Sequence, residues 1–156
     1  MRGIPRLRAV SDQARSVAAW EALFRAQVAV MRRLGADFPN DEISFNEYDV
    51  MFTLSRALGR SLRLRDLNKS VLLTQPSVSR MIDRLAARGF VEKLPDPRDA
   101  RGTIIRLTDV GYDAFYRVAH VHGESIHRIV GDALDGDELA TLTALCTKLR
   151  AALPVE

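Results

Sequence analysis

Between Gln75 and Leu85 the chain sets Gln75, Pro76, Ser77, Ser79, Arg80 and Arg84 around a stripe of Val78, Met81, Ile82 and Leu85. The stripe has the three-and-four spacing of one buried helix face, so the polar set occupies the opposite face. Amide and hydroxyl side chains there can donate and accept hydrogen bonds at base edges, and arginines behind them can reach phosphates or the acceptor edge of guanine. The chemistry on offer is recognition of a polyanion, with no bond made or broken.

Such a helix must be held at a fixed angle, and its surroundings supply the means. Thr74 is placed to cap it, Pro76 loses nothing in a first turn whose N–H groups lack partners, and Gly89 ends the run. Upstream, Leu67 and Val71 are apolar one turn apart and mark a short helix, separated from the second by so few residues that the two must cross steeply. Downstream, 90–94 and 103–107 alternate as strands around a tip rich in Pro, Gly and Asp, which predicts a hairpin with a long tip. The tip carries Arg98 and Arg101. A helix-turn-helix followed by a basic hairpin is a winged helix: one helix enters the major groove and the tip arginines reach the neighbouring minor groove, where the potential is most negative.

The run from Asp66-Leu67 to Leu85, then Arg88-Gly89-Phe90-Val91, Asp99-Ala100-Arg101 and Leu107-Thr108-x-x-Gly111 resembles the MarR family of bacterial transcription regulators without a gap. The wing is the most specific part, through its Asp-x-Arg and Leu-Thr-x-x-Gly. The resemblance implies that Asp99 holds the wing by pairing with an arginine and that Arg101 inserts into the minor groove. One departure is Leu72, which stands in the inter-helix turn where many relatives have glycine and implies a less tight turn. In this family small aromatic or phenolic molecules often bind between dimer helices and winged unit and lower DNA affinity. Trp20, Phe24, Tyr48 and Phe52 are the aromatic residues best placed to line such a cleft, or else ordinary core.

The flanks read as helices. Residues 1–10 contain Arg2, Arg6 and Arg8 with Gly3 and Pro5 and are expected to form a basic tail, with helix from about Ser11 to Gly35 along Val17, Trp20, Phe24, Val28, Met31 and Leu34. Ser44 and Glu47 have the spacing of a capping box, opening a helix that Gly59 ends. Thr108 caps a long helix over 109–134 with Val110, Ala114, Phe115, Val118, Val121, Ile126, Ile129 and Val130 as its buried positions, bent or broken near Gly123 or Gly131. Asp135 and Glu138 repeat the capping box, and Leu139, Leu142, Cys146, Leu149 and Leu153 form a coiled-coil type seam. The expected class is mainly α with a small β-hairpin wing. Its parts are the tail, a dimerisation region of 11–38 and 109–156, and a winged unit of 43–108. Apolar seams left over on the first and last helices predict a homodimer that presents two reading helices to a pseudo-palindromic duplex. The alternative is a bundle folded back on its own winged unit.

Charge agrees with this division. From Arg60 to Arg106 there are eleven Lys or Arg against five Asp or Glu, and elsewhere twelve against fifteen, so the basic side of the chain is its winged part. An apolar content of 47% with 28% charged residues is that of a globular protein. No apolar run approaches a membrane span, and a cytoplasmic location is expected. His120 and His122 point about 200° apart on a helix and His127 lies about 10 Å from His120 along the axis, so the three do not make one metal site. Cys146, the only cysteine, falls on the apolar seam, where it is expected to act as a small buried hydrophobe. Nothing resembles a phosphate loop, a nucleophile elbow or a paired acid and base. Neither enzymatic activity nor a cofactor is expected. The competing reading is a winged-helix protein-interaction module, which requires a neutral or apolar exposed face on the 75–88 helix, and Arg80, Arg84 and Arg88 oppose that.

Overall fold

The computed structural model describes residues 6–71 and 75–153. Compact units of 1–37 and 38–156 divide the chain. The first unit is a single helix, α1 (Arg6–Ala36). It begins five residues before the expected start at Ser11, so the second half of the stretch expected to be a basic tail is helical. Val17, Trp20 and Phe24 are half or more exposed on α1, and the Trp20 and Phe24 rings stack with centroids 5.5 Å apart.

The second unit runs α2 (Phe45–Arg56), β1 (Ser61–Arg63), α3 (Leu64–Ser70), α4 (Gln75–Ala87), β2 (Val91–Asp96), β3 (Asp99–Leu107), α5 (Asp109–Ile126) and α6 (Gly136–Ala151). A three-stranded antiparallel sheet has the order β1-β3-β2, with Leu62 opposite Ile105 and Lys93 opposite Ile105 on the other side. β1 was not expected: three residues carry too little alternation to signal a strand. It closes the exposed edge of the hairpin and leads straight into α3. The core joins Val50, Met51 and Leu54 of α2, Leu67 of α3, Val78, Met81, Ile82 and Leu85 of α4, and Ile105 and Leu107 of β3. Ala114, Phe115 and Val118 of α5 complete it.

The capping boxes form as the spacing predicts. Ser44 and Glu47 bond reciprocally at the start of α2, Asp135 and Glu138 do so at α6, and the Thr108 hydroxyl accepts from the Gly111 N–H at 3.0 Å. Beyond α2, a 3-10 turn over Leu58–Arg60 places both Gly59 and Arg60 at positive φ, 62° and 51°. The Arg60 guanidinium lies 3.8 Å from the centre of the Tyr112 ring and pairs with Asp109 at 3.1 Å.

α5 buries Ala114, Phe115 and Val118 as expected but differs at the flanking positions. Gly111, Ala114, Phe115, Val118, His122 and Ser125 are its buried positions, while Val110, Val121 and Ile126 are exposed. A glycine at 111 lets the helix approach the Phe90 carbonyl, and that contact fixes which face turns inward; hydrophobicity alone does not register it. The α-helix stops at Ile126 and a π-helical turn follows over His127–Gly131, which is the break expected near Gly131. Among the described residues nothing buries α6: Leu142, Leu145 and Leu149 are 41–60% exposed, as is Leu153 just beyond its end, at 62%. Cys146 is exposed too, contrary to the expectation of burial, because among the described residues nothing covers this face. Among the described residues no helix is long and apolar enough to cross a membrane.

Candidate nucleic-acid interface

The surface is built on α4. Val78, Ile82 and Leu85 are fully buried and Met81 nearly so, which locks the rotation of the helix about its axis and leaves Ser79, Arg80, Asp83 and Arg84 exposed. Ser77 is half-buried. Gln75 and Pro76 open the helix, with side chains outside the described residues; the capping role of Thr74 and the turn at Leu72 also lie outside them. At the other end Gly89, at φ 72°, stops the helix.

The hairpin is tighter than its sequence suggests. Strand pairing extends out to Asp96 opposite Asp99, leaving Pro97 and Arg98 at the tip, with a bulge between Pro95 and Asp96. Two aspartates bring this about. The Asp96 carboxylate accepts from the Arg98 N–H at 2.9 Å and the Asp99 carboxylate from the Arg101 N–H at 3.0 Å, each turning the backbone on itself. The resemblance assigns Asp99 an arginine partner, but the pair at the base of the wing is Asp96 with Arg63. Its Nε–Oδ2 distance is 2.6 Å and its Nη2–Oδ1 distance 3.2 Å, with the Asp96 side chain buried. Sequence reasoning passed over Arg63 and Asp96, which are remote in the chain and lie on two strands of which one was not foreseen. Gly102 packs here as well, since a Cβ would stand 2.8 Å from that of Asp96.

Arg98, Asp99 and Arg101 are exposed, as are Arg80 and Arg84. Among the described residues no carboxylate pairs with the guanidinium of Arg80, Arg84, Arg98 or Arg101, whereas Asp83 is engaged by Lys93 of β2 and Glu92 by Arg106. Neutralising the local acids internally leaves the outward potential positive, the condition for attracting phosphates.

The four aromatic cleft candidates fall in both units, Trp20 and Phe24 in the first and Tyr48 and Phe52 in the second. Tyr48 stacks on Phe115 at 5.2 Å and on Phe52 at 6.3 Å. Burial raises the Tyr48 phenol and the Asp49 carboxyl above their ordinary ranges. His122 of α5 is buried edge-on among Phe38, Phe45 and Tyr48, with centroids 5.2, 5.7 and 5.0 Å away. Its Nδ1 has no hydrogen-bond partner, and burial lowers its pKa, so the imidazole is neutral at pH 7. His120 instead faces Glu124 at 3.6 Å, and among the described residues no group of three His, Cys, Asp or Glu side chains could hold a metal ion.

The model of the MarR family matches residues 42–102, the segment from the loop before α2 to the wing. The multiple antibiotic resistance protein MarR of Escherichia coli K12 is 34% identical over 84 residues, 54% of this chain, and the chain spans 58% of the length of that relative. A crystal structure of Sco3205, a MarR family transcriptional regulator from Streptomyces coelicolor, in complex with DNA, superposes with a TM-score of 0.74 at 25% identity, covering 92% of this chain and 91% of that one. A mutant MarR from E. coli complexed with operator DNA gives 0.69 at 26% identity, covering 90% and 96%. The segment matched by the MarR family model coincides with the one that carries both α4 and the wing, and the fold follows that of solved MarR family regulators over 90% or more of the chain.

Proposed function

We propose that the chain is a sequence-specific, double-stranded DNA-binding transcription regulator of the MarR type, a homodimer that represses by occupying a pseudo-palindromic operator and is relieved by a small aromatic effector. The observation that carries the reading is the set of exposed guanidiniums without acidic partners among the described residues, Arg80 and Arg84 on α4 and Arg98 and Arg101 on the wing. In this reading Gln75, Pro76, Ser77, Ser79 and Arg80 face bases, Arg84 meets phosphate, and the wing arginines enter the minor groove beside Asp99. The solved relatives bound to DNA support it.

The test is binding to duplex DNA over a range of salt concentrations. The logarithm of the binding constant is expected to fall linearly with the logarithm of salt, and Arg101→Ala to weaken binding and make the slope shallower by about one unit. A slope identical to that of the unaltered protein would remove Arg101 from the interface.

Self-association is supported by α6, whose leucines would each remove apolar surface from water at about 25 cal/mol per Å² on pairing with a second copy. Sedimentation is expected to show a dimer, and Leu149→Asp, which places a charge on the seam, to shift it to monomer and weaken operator binding with it. For the effector, the support is the partly exposed Phe52 beside Tyr48, with Trp20 and Phe24 as an exposed aromatic pair on α1.

A further inference from the structure

Arg88 has the type and position of a further phosphate contact, one residue beyond the end of α4, yet it spends its donors on its own chain. One Nη donates to the backbone carbonyl of Glu42, and the other lies 3.5 Å from the Glu47 carboxylate, the buried half of the capping box of α2. The guanidinium plane also rests 4.4 Å from the centre of the Phe90 ring. Glu42 in turn is held from the other side: its carboxylate accepts from Arg117 of α5, with Nε at 3.2 Å. That guanidinium keeps the Glu42 carboxyl below the usual carboxylate range, so the pair is charged at neutral pH. The loop carrying Glu42 is pinned at both ends, because Phe38 and Phe45 meet edge to face at 5.1 Å and both pack on His122 of α5.

From this geometry we infer that Arg88 is a positioning residue for α4, fixing the tilt of the reading helix against the Glu42 loop and α2, and that Glu42 joins this clamp to α5 through Arg117. The inference rests on the reading of the chain as a DNA-binding protein. Its leverage follows from length. α4 has 13 residues and is therefore about 20 Å long. A tilt of about 5° at its C-terminal end displaces the N-terminal end by nearly 2 Å, more than a base-edge hydrogen bond tolerates. Contacts to phosphate, made by flexible arginines, follow such a movement more easily. Loss of the clamp therefore acts on discrimination, and loss of a phosphate contact acts on affinity for every sequence.

The experiment uses the full-length protein and two labelled duplexes: one selected by the unaltered protein from a random-sequence pool, and a scrambled version of it. Binding of both is measured by fluorescence anisotropy at several KCl concentrations for Arg88→Gln, Arg88→Lys, Glu42→Gln and, as the phosphate-contact reference, Arg84→Gln. Arg88→Gln is expected to bind the selected duplex about tenfold more weakly, with an unchanged salt slope and unchanged affinity for the scrambled duplex. Arg84→Gln is expected to weaken both and to make the slope shallower by about one. Arg88→Lys keeps the cation but not the fork that serves two acceptors and stacks on Phe90, so it is expected to lose discrimination too. It decides the question if the glutamine variant fails to fold. Glu42→Gln is expected to lose several-fold on the selected duplex alone. The inference is overturned if Arg88→Gln reduces the slope and both affinities as Arg84→Gln does, or if Arg88→Lys binds the selected duplex like the unaltered protein. An unaltered protein that selects no duplex would refute DNA recognition itself, an outcome distinct from either.

Discussion

Gly111→Ala is expected to destabilise the chain by about 3 kcal/mol or more, because among the described glycines its added Cβ meets the closest contact, and that contact is backbone. A Cβ at this position would lie 2.0 Å from the carbonyl oxygen of Phe90, 2.7 Å from its carbonyl carbon and 2.9 Å from its Cα. All three are backbone atoms, so no side-chain rotation relieves the clash. Nor can the Phe90 carbonyl swing away freely, because it accepts from the Thr108 N–H at 3.0 Å and the Thr108 hydroxyl at 3.1 Å. Either α5 must lift from the root of the hairpin, opening the core around Ala114 and Phe115, or the hairpin must shift and lose the Thr108 cap. A thermal melt followed by circular dichroism should fall by about 6–12 °C. A melt within about 2 °C of the unaltered protein would show that the two segments separate at little cost.

Asp96→Ala is expected to cost about 2–3 kcal/mol and to weaken DNA binding at the same time. It leaves the Arg63 guanidinium, three-quarters shielded from water, without its carboxylate, and the Arg98 N–H without its acceptor. Removing one partner of a buried pair leaves the other charge uncompensated, and partial access of Arg63 to water moderates the loss. Because the Arg98 N–H loses its acceptor while the Arg101 N–H keeps Asp99, the Arg98 amide should exchange hydrogen faster in this variant than in the unaltered protein. Arg63→Ala combined with Asp96→Ala should cost less than the two single changes added together. Additive costs would mean that the pair does not act as a unit.

What could be read from the sequence was local. Ser44 with Glu47 and Asp135 with Glu138 are capping boxes because their spacing leaves the chain few other ways to satisfy its first amides, and both form. The stripe of α4 is legible for the same reason: four apolar residues at helical spacing have one face to bury. Long-range pairings were not legible. Arg63 meets Asp96 across a strand too short to foresee, and Arg88, read as one more exposed charge of the 75–88 helix, meets Glu42 and Glu47 from more than forty positions away. On α5, Ala114, Phe115 and Val118 are buried as expected, but Val110, Val121 and Ile126 are exposed, because the rest of the buried face runs through Gly111, His122 and Ser125, which hydrophobicity does not mark.

Arg60 holds a left-handed backbone that glycine adopts freely and other residues adopt at a cost of about 1 kcal/mol. Its side chain offsets that cost by stacking over Tyr112 and pairing with Asp109, both in the opening turns of α5. The joint between the sheet and that long helix is thereby stiffened against twisting. In a pair of copies, the separation of the two reading helices, and with it the phase of half-sites along the duplex, would be dictated where the copies touch, with little slack contributed at this joint.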